Sequence, residues 1–137
     1  MIEDTIQEVL TFYNIKSEVL EKDFVLHRKI PKEHNGIYVL VQKDLVIYVG
    51  KGWVRNRQKT HWNKAFRNIN EGANDPKGWK WLRENIEIEP TNWKVYYILL
   101  NKQTQLSAVE GGLIDKLQPL ANDETFHDNN RILKETK

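Results

Sequence analysis

Hydrophobic and polar positions change their period several times along the chain, and each change marks an element. Between residues 2 and 21, apolar side chains fall at 2, 6, 9, 10 and 13, then at 15, 19 and 20. The first set keeps helical spacing and predicts an amphipathic helix broken near Asn14. Residues 24–30 (FVLHRKI) read as a short strand or extended segment ended by Pro31, and His34-Asn35-Gly36 as a turn. Residues 36–50 (GIYVLVQKDLVIYVG) are β-branched and aromatic on both sides of a polar Gln42-Lys43-Asp44. That pattern predicts a buried β-hairpin with a three-residue loop, in which 38 faces 48 and 41 faces 45. Trp62, Ala65, Phe66 and Ile69 give residues 53–70 a helical stripe; 71–78 is a loop and 79–85 a short helix. A strand runs from Trp93 to Leu100. The helix 104–118 carries Leu106, Val109, Leu113, Ile114 and Leu117 and stops at Pro119. The tail from Phe126 is polar. The order helix, hairpin, helix, strand, helix predicts an α+β fold: a small three-stranded antiparallel sheet flanked by helices.

The length of 137 residues and 39% hydrophobic content suit one domain with a packed core. There is no apolar run of 18 residues and the first ten residues are acidic, so neither a membrane span nor a secretory leader is expected, and the compartment expected is the cytoplasm. With no cysteine, disulfides, zinc ribbons, iron–sulfur clusters and thiol nucleophiles are excluded. The net charge of +2 says little, but its distribution says more. Residues 1–24 hold six acids against two lysines, whereas residues 51–67 hold Lys51, Arg55, Arg57, Lys59, Lys64 and Arg67 and no acid. The second stretch is either a solvated basic helix face or a surface built to meet an anion.

Four constellations carry candidate chemistry. Tyr38 and Tyr48 lie on the two hairpin strands and, across an odd-length loop, on one face of the sheet; packing tyrosines and a working phenol pair are both open. Gly50-Lys51-Gly52 at a strand end lets backbone and ammonium approach a phosphate, although it is too short for a P-loop. Arg57 and His61 stand one helical turn apart and share a face, a guanidinium able to clamp a phosphate and an imidazole able to donate to one or handle a proton. Glu110 falls between Leu106 and Leu113, inside an apolar stripe. A carboxylate aimed at a core is costly unless a base pairs with it or a metal binds it. One carboxylate suits Mg2+, which keeps most of its waters and uses phosphate oxygens. A phenol, a lysine, an Arg/His pair and a metal carboxylate together form a phosphodiester-hydrolysis set.

Gly36-Ile37-Tyr38, Tyr48-Val49-Gly50, Arg57 with His61, Glu110, and Pro119-Leu120-Ala121-Asn122 ending twelve residues after it resemble the GIY-YIG nuclease family over residues 35–123. The Tyr48-Val49-Gly50-Lys51 run is similar to the excision-repair branch of that family, and the placement of His61 to its phage homing and restriction branches. The resemblance implies a GIY-YIG-like α/β sandwich, an N-terminal extension over 1–34 and a tail over 124–137. It implies a divalent-metal-dependent endonuclease acting on DNA, with RNA not excluded; the alternative is a GIY-YIG-like module that binds nucleic acid or protein without cutting. It also implies roles. Tyr38 is the general base or its assistant, its pKa lowered by nearby cations and metal; Tyr48 positions water or phosphate. Lys51 holds the phosphate environment and Arg57 neutralises transition-state charge. His61 bonds the phosphate or serves the leaving side. Glu110 ligates one Mg2+ or Mn2+ per active site. Gly36, Gly50 and Asn122 give structural support. Lys51, Arg55, Lys59, Lys64, Arg67, Lys80 and Arg83 supply a surface for the phosphate backbone, and Trp79 and Trp81 either stack on bases or fill the core. The acidic stretch 1–34 is a candidate face for a second copy or a partner protein.

Overall fold

The computed structural model describes residues 2–66 and 77–122. Helix α1 (Ile2–Phe12) buries Ile6, Val9 and Leu10 of the set given by its helical spacing, while Ile2 is half-buried and Tyr13 exposed. It stops because Asn14 turns left-handed at φ 56°, a conformation asparagine tolerates at helix ends. The chain then extends into strand β1 (Leu20–Asp23), a fourth strand beside the three expected. Residues Phe24–Lys29, read from the sequence as extended, form a 3-10 helix instead. Phe24 is buried under Trp62 and Trp93, while Val25 and Leu26 face solvent. A single anchoring side chain per turn suits that tight helix better than a strand does.

Strands β2 (Asn35–Gln42) and β3 (Leu45–Trp53) form the hairpin. Its turn is the two residues Lys43 and Asp44, not the expected three, with Lys43 at φ 54°. Gln42 belongs to the strand because the core takes its side chain. Its Oε1 accepts from Glu89 N at 2.9 Å and from Trp93 Nε1, and its Nε2 donates to Glu87 O at 3.0 Å. The register shifts after Leu40, which opposes Tyr48 while Val41 opposes Val46. Ile47 is the extra residue of a β-bulge, so Ile47 and Tyr48 both turn to the layer that holds Tyr38. The two tyrosines thus share a face through a bulge rather than through an odd-length loop.

Helix α2 (Val54–Phe66) follows directly, then α3 (Lys77–Asn85), strand β4 (Trp93–Leu99) and helix α4 (Gln103–Leu117). The fold is α+β, with one antiparallel sheet in the order β1-β4-β2-β3. One face of the sheet, with Tyr38, Leu40, Ile47 and Val95, packs under α2, α3 and the 3-10 helix. The other, with Ile37, Val39, Val49 and Ile98, packs on α1 and α4. Residues 2–34 therefore contribute α1, β1 and the 3-10 helix to the same sheet and its two packed layers.

The inward face of α2 is Val54, Gln58, His61 and Ala65, while the expected Trp62 is only half-buried, against Phe24. Ile69, Arg67, most of the loop 71–78 and the tail from 123 lie outside the described residues. No described helix is long and apolar enough to cross a membrane.

After α4, the left-handed Gln118 (φ 48°) turns the chain along the free edge of β3. There Leu120 N donates to Val46 O at 3.1 Å and Ala121 N to Ile47 O at 2.8 Å. Asn122 closes this edge: its Oδ1 accepts from Val49 N at 2.8 Å and its Nδ2 donates to Val49 O at 2.7 Å. A residue that covers both backbone groups of an edge strand stops that strand from pairing elsewhere.

Candidate active site

The site grows from positions where a side chain would not fit. A Cβ on Gly36 would run into the carbonyl oxygen of Ile98, which holds β2 against β4. A Cβ on Gly50 would run into the Tyr38 hydroxyl and lie 2.8 Å from the Tyr48 ring. Tyr38 opposes Gly50 across the ladder, so its phenol lies over the bare backbone of β3. Gly52 has φ 132°, and a Cβ there would sit 2.9 Å from Arg57 Nε. The same glycine therefore bends the end of β3 and gives Arg57 room to lie against it.

Tyr38 Oη lies 2.7 Å from His61 Nε2, and both residues are 2% exposed. The imidazole is held between Tyr48, 4.3 Å away by ring centroids, and Trp79, which stacks on it at 5.3 Å and 20°. Tyr38 and Tyr48 lie nearly parallel at 6.1 Å. His61 thus reaches the sheet from α2, and its hydrogen-bond contact is the phenol. The aromatic reading of α3 is settled in the same way. Trp79 and Trp81 are buried and belong to the core, not to a base-stacking surface. Among the tryptophans, Trp53 at the end of β3 is the exposed one, at 46%.

Burial decides the ionisation of the pair. It pushes the His61 pKa down to about 3, helped by Lys64 and Arg57. It drives the Tyr38 pKa well above the usual 10, with Tyr48 adding to the rise, Arg57 opposing it and Glu110 adding to it. Arg57 alone does not outweigh burial at this hydroxyl; the expected lowering also called on a metal. In the free protein, a neutral phenol meets a neutral imidazole.

A stability prediction follows. The unfolded chain protonates His61 near 6.5, but the fold keeps it neutral down to about 3. Between those values the unfolded state binds more protons. The contribution is therefore complete above pH 6.5 and is lost as pH falls through that window, by about 1.4 kcal/mol per pH unit. Urea unfolding from pH 7 to pH 4 should give a flatter profile for His61→Gln than for the unmodified protein. Identical slopes would assign the pH dependence to other groups.

Lys51 lies one residue past Gly50 and reaches α4 on the other side of the sheet. Its Nζ donates to Ser107 Oγ at 2.9 Å and lies 3.9 Å from Glu110 Oε1. Glu110 is not driven into the core. The buried side of α4 is Leu106, Val109 and Leu113, and Glu110 stands on its flank with a quarter of its side chain exposed. The cost of burying a carboxylate is accordingly reduced, and the ion pair, half open to water, adds little stability. Arg57 is exposed, and both it and Glu110 act electrostatically on the Tyr38 hydroxyl.

Among the remaining basic residues, Lys59 and Lys80 are exposed and Arg55 and Lys64 half-buried. Arg83 Nη1 donates to Lys64 O at 2.8 Å and ties α3 to α2. Gln58, Trp79, Ser107 and Gly78 carry contacts that pattern reading does not reveal. Gly78 is required because a Cβ there would run into the Ala121 carbonyl.

Among the described residues, no group of three or more His, Asp or Glu could cage a metal. Glu110 is the carboxylate that acts electrostatically on the Tyr38 hydroxyl. A lone, partly solvated carboxylate fits an ion that keeps its waters, such as Mg2+, rather than zinc or calcium in a protein cage.

No protein-family model matches the chain, and no curated protein matches it. Among solved structures, the chain is similar to the GIY-YIG N-terminal endonuclease domain of UvrC from Thermotoga maritima. An asparagine-to-alanine point mutant of that domain, bound to its catalytic divalent cation, gives a TM-score of 0.48 at 17% identity, over 75% of this chain and 98% of that one. The magnesium-bound form gives a TM-score of 0.47 at 17% identity, over 75% of this chain and 99% of that one.

Proposed function

We propose that the chain is a divalent-metal-dependent endonuclease that hydrolyses phosphodiester bonds in DNA. The observation that carries this reading is the Tyr38–His61 contact at 2.7 Å, with Arg57 and Glu110 both near enough to act on the same hydroxyl. A buried tyrosine that only packs needs neither a neutral imidazole on its oxygen nor two opposite charges around it.

The chemistry uses the pair as a relay. Tyr38 Oη takes a proton from the attacking water as its own proton passes to His61 Nε2. Neither group does this readily in the free protein, because burial disfavours both charged forms. A bound phosphodiester brings negative charge that favours the imidazolium, so substrate binding primes the relay. Tyr48, partly exposed beside Tyr38, lines the approach of the water. Arg57 places its guanidinium against the charge that grows on the phosphate. Lys51, held by Ser107, adds a second cation. Glu110 would hold one Mg2+ or Mn2+, which when bound supplies positive charge to the leaving oxygen. Lys59, Lys80, Arg55 and Lys64 hold the backbone without reading sequence.

Conversion of supercoiled plasmid to nicked circles tests the reading. Nicking is expected with Mg2+ and not with EDTA, and Arg57→Ala should slow it by about 10²-fold while duplex binding persists. Salt-dependent DNA binding with no nicking under any metal would make the chain a binding module instead.

A further inference from the structure

Three buried side-chain atoms around the imidazole have no hydrogen-bond partner among the described residues: Gln58 Oε1, His61 Nδ1 and Trp79 Nε1. Buried polar groups are nearly always paired, and each left unpaired costs about 1–3 kcal/mol, so their clustering calls for a reason. Gln58 and His61 stand three residues apart on the inward face of α2, 0% and 2% exposed, where side chains at this spacing are neighbours. Trp79 stacks directly on the imidazole.

The roles of these atoms can be deduced. Gln58 Nε2 donates to Val54 O at 3.0 Å. A carbonyl only accepts, so the amide orientation is determined and Oε1 is left as an acceptor. The buried Tyr38 hydroxyl carries a proton, and among the described residues His61 Nε2 is its hydrogen-bond partner. Nε2 must therefore accept, which puts the ring proton of the neutral imidazole on Nδ1. Nδ1–H then needs an acceptor, and Gln58 Oε1 is the unused one on its own helix face.

We propose that Gln58 is a positioning residue that sets the tautomer of His61. One buried water accepts from His61 Nδ1–H and from Trp79 Nε1–H and donates to Gln58 Oε1, which keeps the ring proton on Nδ1 and leaves Nε2 bare toward Tyr38. Such a water makes three hydrogen bonds, the usual number for a buried site. The consequence is that His61 is held in the form able to receive the Tyr38 proton. That consequence rests on the nuclease reading; the tautomer does not.

The test is 15N NMR of the His61 ring in the full-length protein, with backbone amide spectra to report the fold. The unmodified protein should show Nδ1 protonated and Nε2 an acceptor. Gln58→Leu should shift the proton to Nε2 and slow nicking about 10-fold, and Gln58→Glu, which keeps an acceptor oxygen, should retain Nδ1–H. A proton on Nε2 in the unmodified protein overturns the proposal even if Gln58→Leu does not fold. So does a tautomer that Gln58→Leu leaves unchanged. If no form cuts DNA but the tautomer still switches with residue 58, the positioning role stands and the nuclease reading falls.

Discussion

Replacing Tyr38 with phenylalanine is expected to slow plasmid nicking by about 10³-fold while leaving the fold and DNA affinity in place. The phenyl ring keeps its seat over Gly50 and its parallel contact with Tyr48. What disappears is the oxygen that meets His61 Nε2. Stability should drop by about 1–3 kcal/mol, because a buried nitrogen loses its partner. A fold loss cannot mimic the result, since binding measured on the same sample reports the folded surface. Equal nicking by both proteins would remove Tyr38 from the proton path and shift the work to Tyr48.

Glu110→Ala is expected to cost at least as much activity, about 10³-fold, with almost no effect on stability. The two outcomes separate because of where the residue stands. It is a quarter exposed, on the flank of α4, with its lysine 3.9 Å away. Lys51 keeps its bond to Ser107 when the carboxylate is removed. A partly exposed pair held at 3.9 Å contributes about 0–1 kcal/mol, so thermal unfolding should move little. A large fall in stability would instead show that Glu110 serves mainly to neutralise Lys51.

The hairpin and its tyrosines are legible in the sequence because β-branched and aromatic runs leave few alternatives, and α4 because its buried residues Leu106, Val109 and Leu113 keep strict helical spacing. The bulge at Ile47 is not legible. It depends on Gln42 being drawn into a hydrogen-bond set with Trp93, Glu87 and Glu89, more than forty residues away. The burial of His61 is missed for a related reason. Polarity places Gln58 and His61 outside, yet α2 turns them inward because Val54 and Ala65 share their face and Trp79 closes over them. Glu110 shows the opposite error. Its spacing puts it within the apolar set, but the helix is rotated so that the carboxylate meets Lys51 at the rim. Strand β1 escapes notice because LEKD has no strand pattern of its own; it pairs because β4 offers it an open edge.

The most direct measurement is the nicking rate of the full-length protein as Mg2+ is raised from zero, with Glu110→Ala run beside it. The rate is expected to climb and saturate for the unmodified protein and to stay near background for the variant at the same concentrations. Superimposable curves for the two proteins would contradict that expectation.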